Sequence, residues 1–368
     1  MTLDWKKLAP HKPLDPGDAA YVRPPTGGGE EIAKWVLAGK STVLVGGPAG
    51  IGKSTELARA AELLEGERLV CLARIDRHEN MRTLEPERLA LRLAGLLVDE
   101  AHHGRGLSVS RPLREYLHWS GVLNDPDALS AMGAHFPSAE ATLRLAISEV
   151  ARLSKERIVF LIDGLEKVPQ DRTEDLFDVL RSLPESIDVV VVIPWHLSFG
   201  PRPEVMVRGG EKIFWLRAWE VAGDAGEAGR KALAEILVRK LGIDTSELAP
   251  HRELIKEAAE QSGGAPRTFL QLIADAGTYA RLRGRDDWFT REDFEDAVRD
   301  QHDSYRRLLL PGDREAIMHA ELTDGVEMEL PRKIRLMAHG FLLELIRDGK
   351  PMLVIHPLAY PTLWSDNA

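Results

Sequence analysis

Thr42-Val43-Leu44-Val45-Gly46-Gly47-Pro48-Ala49-Gly50-Ile51-Gly52-Lys53-Ser54-Thr55 is the stretch whose reading decides the fold. An apolar run gives way to glycines and then to a lysine and two hydroxyls, and residues 47–54 fit G-x-x-x-x-G-K-[ST]. The pattern predicts a strand, a phosphate-cradling loop and a helix from about Lys53 to Leu64. Glycines here let backbone N–H groups converge on phosphate oxygens where a side chain would block them. The helix that follows aims its positive dipole end at the same anion. The expected nucleotide cradle is Gly47, Gly50, Ile51, Gly52, Lys53, Ser54 and Thr55. Lys53 bridges the β- and γ-phosphates, and the Ser54 hydroxyl takes one position on an octahedral Mg²⁺.

Downstream, the rhythm of a parallel α/β sheet continues. Arg68 to Asp76 reads as a second strand, followed by a helix from about Pro86 to His102. Residues 105–137, with Pro112, Gly121 and Asn124-Asp125-Pro126, read as an insertion: a lid, a partner surface or ordinary variable packing. A helix from about Ser138 to Ser154 restores the alternation. Arg157-Ile158-Val159-Phe160-Leu161-Ile162-Asp163-Gly164-Leu165-Glu166 then describes a strand buried on both faces and ending in an acid. Asp163 is the expected Mg²⁺ partner of Ser54. Glu166 either orients the attacking water or is a solvated first-turn acid. A helix over about 173–183, a strand over 188–193 and a fifth strand over 212–216 complete the sheet. Pro194-Trp195-His196 would close the fourth strand at its ligand-facing edge, and Arg202 and Arg208 lie on the loop after it, either as fingers for a neighbour's γ-phosphate or as ordinary exposed arginines.

From Ala228 the strands stop, and helices are expected at about 228–241, 250–261, 266–283 and 291–300, with apolar residues at three- and four-residue spacing. Pro266 suits a helix start, where a missing N–H does no harm. Beyond about Leu309, a helix near 332–338 and two β-like runs around Asp348-Gly349 suggest a winged-helix domain. Residues 1–29, rich in Pro and Gly, are expected to run as an extended arm without packed structure.

The composition sets limits on partners. Over 368 residues the net charge is −10, which argues against a broad nucleic-acid footprint. The apolar runs are too short to span a bilayer and the N-terminus lacks a signal-peptide core, so a cytoplasmic protein is expected. The single cysteine, Cys71, reads as core packing. The histidines show no metal-ligand spacing, and His102 and His103 are expected to point apart on a helix.

Several separated motifs together resemble one superfamily, the STAND branch of AAA+-related P-loop ATPases. Tyr21-Val22-Arg23 resembles the N-terminal box that contacts adenine through the backbone. Asp163-Gly164-Leu165-Glu166 is similar to the family's second acidic motif. Gly264-Ala265-Pro266 resembles its G-x-P motif, whose proline packs beside the nucleotide, and Val354-Ile355-His356-Pro357-Leu358 resembles the motif whose histidine reaches the β-phosphate of ADP. Arg267 looks like the lid arginine of origin-recognition-type AAA+ ATPases. One departure is that Pro194-Trp195-His196 stands where the family often has a γ-phosphate-sensing arginine, so that His196 or Arg202 substitutes or the sensing is weak.

The resemblance implies an extended arm (1–29), a P-loop ATPase domain (30–217), a helical lid (218–305) and a winged helix (306–368). It implies an ATP-binding, ATP-hydrolysing switch with ATP or ADP and Mg²⁺ as cofactors, Val22, Arg23, Pro266, Arg267 and His356 contacting nucleotide, and Lys53, Asp163 and Glu166 serving hydrolysis. Protein partners or effectors in trans and ATP-dependent homo-oligomers would follow. The alternative is an AAA+ ATPase that loads onto DNA through its winged helix, which the acidic balance disfavours.

Overall fold

The computed structural model describes residues 3–125, 138–194, 197, 212–323, 325, 327–347 and 350–364. Trp195, His196, Arg202, Arg208 and the Asp348-Gly349 turn fall outside that set. The chain divides into two compact units: Gly29–Gly46 with Glu56–Trp215, and Met1–Gly28 with Gly47–Thr55 and Leu216–Ala368.

The first unit is built on a parallel sheet. Its elements are α1 (Gly29–Leu37), β1 (Thr42–Gly46), α2 (Lys53–Leu64, its first turn counted with the other unit), β2 (Leu69–Arg74), α3 (Pro86–Asp99), α4 (Arg111–Trp119), α5 (Ala139–Ser154), β3 (Ile158–Asp163), α6 (Thr173–Arg181), β4 (Asp188–Val192) and β5 (Lys212–Trp215). The strand order is β2-β3-β4-β1-β5 and every neighbouring pair is parallel. β1, β3 and β4 are buried along their whole length, as runs of Val, Ile and Leu covered on both faces must be. Leu44, Leu93, Phe160 and Phe177 belong to one continuous core. At the sheet's lower edge the buried Asp188 carboxylate is paired with both Arg157, at 2.8 Å, and Arg68, at 3.1 Å.

Three local expectations change here. β2 stops at Arg74 and a short 3₁₀ turn, Ile75–Arg77, follows, packed so closely on Gly164, at φ 97°, that a Cβ there would lie 2.9 Å from Asp76. The helix expected to reach His102 ends at Asp99 and widens into a π turn, Glu100–Gly104. Its extra residue per turn brings the His102 and His103 rings together, 4.9 Å between centroids, instead of apart. The described part of the insertion is no loose excursion: Leu113 and Leu117 of α4, with Val122 and Leu123, are buried in the sheet's own core.

The second unit is mostly helical. α7 (Glu227–Leu241), α8 (Arg252–Gln261), α9 (Pro266–Leu282) and α10 (Arg291–Leu308) are followed by α11 (Asp313–Thr323), α12 (Leu330–Ala338), the antiparallel pair β6 (Leu342–Arg347) and β7 (Lys350–Ile355), and α13 (Tyr360–Trp364). α10 runs unbroken through the expected boundary at 305–306. The hairpin is tied to the segment after β5 by two ion pairs, Arg217 with Glu344 at 2.5 Å and Arg347 with Glu220 at 2.9 Å.

The N-terminal arm is largely irregular, as its prolines dictate, but it is packed. Leu3, Trp5 and Leu8 are buried, and the Trp5 ring meets Trp288 edge-on at 5.6 Å. Gly277 of α9 makes room for it, since a Cβ there would lie 2.4 Å from the indole. Local composition could not show this, because the apolar socket is supplied by residues more than 250 positions away. Among the described residues no helix is long and apolar enough to cross a membrane. Cys71 is buried in β2, and burial pushes its thiol pKa well up, leaving it inert.

Candidate nucleotide site

The loop between β1 and α2 has the backbone the sequence demands. Gly47, Gly50 and Gly52 adopt φ of 142°, 83° and 104°, a region that side chains strain to enter. The Lys53 ammonium, only 8% exposed, donates to the carbonyls of Gly47 at 2.8 Å and Pro48 at 2.9 Å. It is thus held along the loop's own rim. Ile51 is buried and fixes the loop by packing beside Gly47. The Thr55 hydroxyl accepts from the backbone N–H of Leu14 at 3.4 Å, which ties the arm to the start of α2. Ser54 lies in the first turn of α2, half-buried.

The lid helix reaches this loop directly. Pro266 is the first residue of α9, and the next amide, Arg267 N–H, donates to Gly50 O at 3.2 Å. The contact is tight, because a Cβ on Gly50 would lie 2.9 Å from Arg267 Cβ. The turn before α9 is forced by backbone crossing: Trp219 N–H donates to Gly264 O at 3.1 Å, and a Cβ on Gly264 would lie 1.8 Å from Trp219 O. Only glycine fits there, which gives Gly264-Ala265-Pro266 a physical cause. Trp219 itself carries no signal in the sequence, since its role is that of a main-chain partner.

The remaining residues proposed from the sequence are placed as follows. The carbonyls of Ala19 and Tyr21 accept from the Arg239 guanidinium of α7, with Val22 half-buried and Arg23 exposed beyond them. His356 follows β7 and is buried against the α8–α9 turn, where a Cβ on Gly263 would meet its ring at 3.4 Å. Its Nδ1 accepts from Leu358 N–H at 3.1 Å, which places the proton on Nε2. Burial pushes its pKa down to about 3, while the Ser262 backbone pulls the other way without reaching hydrogen-bond geometry at Nε2. His356 is therefore a neutral imidazole with a buried donor, its ring tilted against that of Tyr305 at 5.3 Å between centroids.

In the sheet unit, Asp163 closes β3 in register with Arg74 of β2 and is 4% exposed, with Oδ1 accepting from Gly164 N–H at 3.0 Å. Glu166 sits in the 3₁₀ turn Leu165–Lys167, which is pinned by an ion pair between Lys167 and Asp76. Among the described residues no group of three or more acids, histidines or cysteines is gathered.

No family model matches the chain, and no curated protein matches it. Solved structures do. A Walker-type ATPase of Pyrococcus abyssi aligns over 94% of this chain and 99% of its own, at 15% identity and a TM-score of 0.50. Cdc6p of Pyrobaculum aerophilum aligns over 99% and 97%, at 12% identity and 0.49. The ORC2 protein of Aeropyrum pernix aligns over 96% and 97%, at 15% identity and 0.48. The first likeness is one of fold: the chain has the α/β fold of a Walker-type P-loop ATPase, followed by a helical region.

Proposed function

We propose that the protein is a nucleotide-dependent switch of the AAA+-related group, binding ATP or ADP with Mg²⁺, hydrolysing ATP slowly, and assembling with partner chains according to the nucleotide it holds. The observation that carries this reading is the hydrogen bond from Arg267 N–H to Gly50 O, which sets the first turn of the lid helix against the phosphate loop. A lid held at that point responds to whatever the loop holds.

The loop's chemistry fits a nucleotide. Its three positive-φ glycines form a cradle that any Cβ would strain, and at Gly52 no atom lies within 4 Å of where a Cβ would stand, so the constraint there is conformational. In this reading Lys53 leaves its two carbonyls for the β- and γ-phosphates, and the backbone amides from Gly50 to Thr55 converge on the same oxygens. The Arg267 guanidinium supplies a second cation. Mg²⁺, held by Ser54 and Asp163, would neutralise charge as the terminal phosphate leaves, an assignment that rests on the sequence pattern. Glu166 would orient the attacking water on the same grounds. The arm segment Tyr21 to Arg23 would face adenine. Pro266 would pack beside the nucleotide, and the neutral His356, whose Nε2–H lacks an aligned acceptor among the described residues, would donate to a β-phosphate oxygen. α11, α12 and the hairpin would form a winged helix.

Titration calorimetry with Mg-ATP tests the core of this. Lys53→Ala should weaken binding by about 100-fold, equivalent to about 2.7 kcal/mol; wild-type affinity in that variant would defeat the proposal. The switch itself is read from particle size: a monomer with ADP that assembles with ATP supports it, and identical size in both states removes it. Salt-sensitive, ATP-stimulated binding to duplex DNA would instead favour a DNA-loading ATPase.

A further inference from the structure

The N-terminal arm is anchored at two places that have no local reason to be joined. At one, the short 3₁₀ turn Trp5–Leu8 packs on α7 and α9, and the Trp5 ring stands 5.6 Å from Trp288 and 5.8 Å from Phe289. Leu3 is tied beside it on both sides: its N–H donates to Asp286 O at 3.0 Å, and its carbonyl accepts from the Arg281 guanidinium of α9 at 2.9 Å. At the other, nine residues after Trp5, the Leu14 N–H donates to Thr55 Oγ1 in the first turn of α2. Both anchorages belong to one compact unit.

The first anchorage is held less firmly than its burial suggests. The Trp5 indole N–H is buried without an acceptor among the described residues, a desolvation cost that a phenyl ring would not carry. Ala9, which ends the turn, sits at φ 34°, a left-handed conformation that strains any residue with a Cβ. It also stands directly before Pro10, whose ring pushes its predecessor toward extended backbone. Both costs disappear when the turn lifts out, so apolar burial and strain oppose each other across this one segment. The second anchorage bears on the phosphate loop. Thr55 Oγ1 uses a lone pair to accept from Leu14, which leaves its own proton for another acceptor, and it gives no hydrogen bond to any described residue. In a G-x-x-x-x-G-K-[ST] loop the acceptor on offer is a phosphate oxygen.

We propose that residues 3–14 form a strap in which seating of Trp5 on α7 and α9 holds the Leu14 N–H on Thr55 and so orients the Thr55 hydroxyl toward the phosphates. Trp5 and Leu14 are then positioning residues for the nucleotide, acting through Thr55 and touching no ligand themselves. The proposal rests on the switch reading for its ligand. By linkage, a nucleotide gripped by Thr55 seats the arm by the same factor as the seated arm tightens the nucleotide.

The strap itself is read without nucleotide, by hydrogen exchange on the full chain. Trp5→Ala should speed exchange of the Leu14 amide by about tenfold or more, although the substitution lies nine residues away. Trp5→Phe, which keeps a ring and loses the unpaired donor, should leave that amide as slow as in the wild type. An unchanged Leu14 amide in Trp5→Ala protein overturns the strap. ATP is then titrated by calorimetry. Affinity should fall about tenfold in Trp5→Ala protein, recover in Trp5→Phe, and fall no further when Trp5→Ala is added to Thr55→Val. A plug with a merely structural role would lower the urea midpoint and leave ATP affinity alone, or its loss would add to that of Thr55→Val; either result overturns the positioning role. Failure of ATP to bind the wild-type protein would sink the switch reading, and the exchange data would still decide whether the strap exists.

Discussion

Lys53 and His356 are both buried basic side chains assigned to the same ligand, and they are buried in opposite ways. Lys53 gives hydrogen bonds to two carbonyls of its own loop, within six residues of itself. His356 is stripped of charge by packing against Gly263 and Tyr305, residues from two separate helical segments, and its imidazole stays neutral. The phosphate loop is a local object whose conformation is written into its glycines. The segment after β7 is a tertiary object whose chemistry depends on what covers it. The first can be recognised from eight consecutive residues, and the second only once the chain is folded.

The same contrast separates two glycines, and substituting them should expose it. Gly264 combines φ of 77° with an atom 1.8 Å from where a Cβ would stand, so Gly264→Ala should cost about 4 kcal/mol in urea unfolding and shift the α8–α9 turn. A loss below about 1 kcal/mol would mean that the crossing with Trp219 gives way easily. Acid titration tests His356 next. Its folded pKa of about 3 lies below the ~6.5 of the unfolded chain, so below pH 6.5 the unfolded state takes up a proton that the folded state refuses. Stability should fall as pH drops from about 6.5 toward 3, by up to about 1.4 kcal/mol per unit from this residue, with no contribution above about pH 7. His78, His251 and His302, also lowered chiefly by burial, act in the same direction. His356→Gln should flatten the slope by its share, about 2 kcal/mol at pH 5; an unchanged slope would place a charged imidazole in the native turn.

Smaller effects complete the series. At Gly52, where a Cβ meets nothing, Gly52→Ala should cost only about 1–2 kcal/mol of conformational strain, although it should impair nucleotide binding far more. Equal costs at Gly52 and Gly264 would erase the distinction between local and packed turns. Glu344→Gln, which breaks a half-buried pair with Arg217, should change stability by about 0.5 kcal/mol and less in high salt.

The sheet was legible because buried parallel strands are runs of Val, Ile and Leu that no helix period explains, and β1, β3, β4 and β5 end within a residue or two of expectation. α2 was legible to the residue, since Lys53 must begin it. What escaped was set at a distance. Trp5 and Leu8 stand in a stretch that composition marks as unstructured, and their burial depends on Gly277 and Trp288. His102 and His103 meet because α3 slips into a π turn, which no residue of that segment announces. Within the site, Gly264 and Pro266 could be named from their motif, but the reason for the glycine is the Trp219 carbonyl.

The central claim is that the phosphate loop and the lid arginine act on one nucleotide. Equilibrium binding of ATP and of ADP to wild-type and Arg267→Ala protein tests it most directly. The account predicts that the substitution weakens ATP by about tenfold or more, near 1.4 kcal/mol, and ADP by much less, because the guanidinium answers to the terminal phosphate. Equal affinities for both nucleotides before and after the change would contradict it.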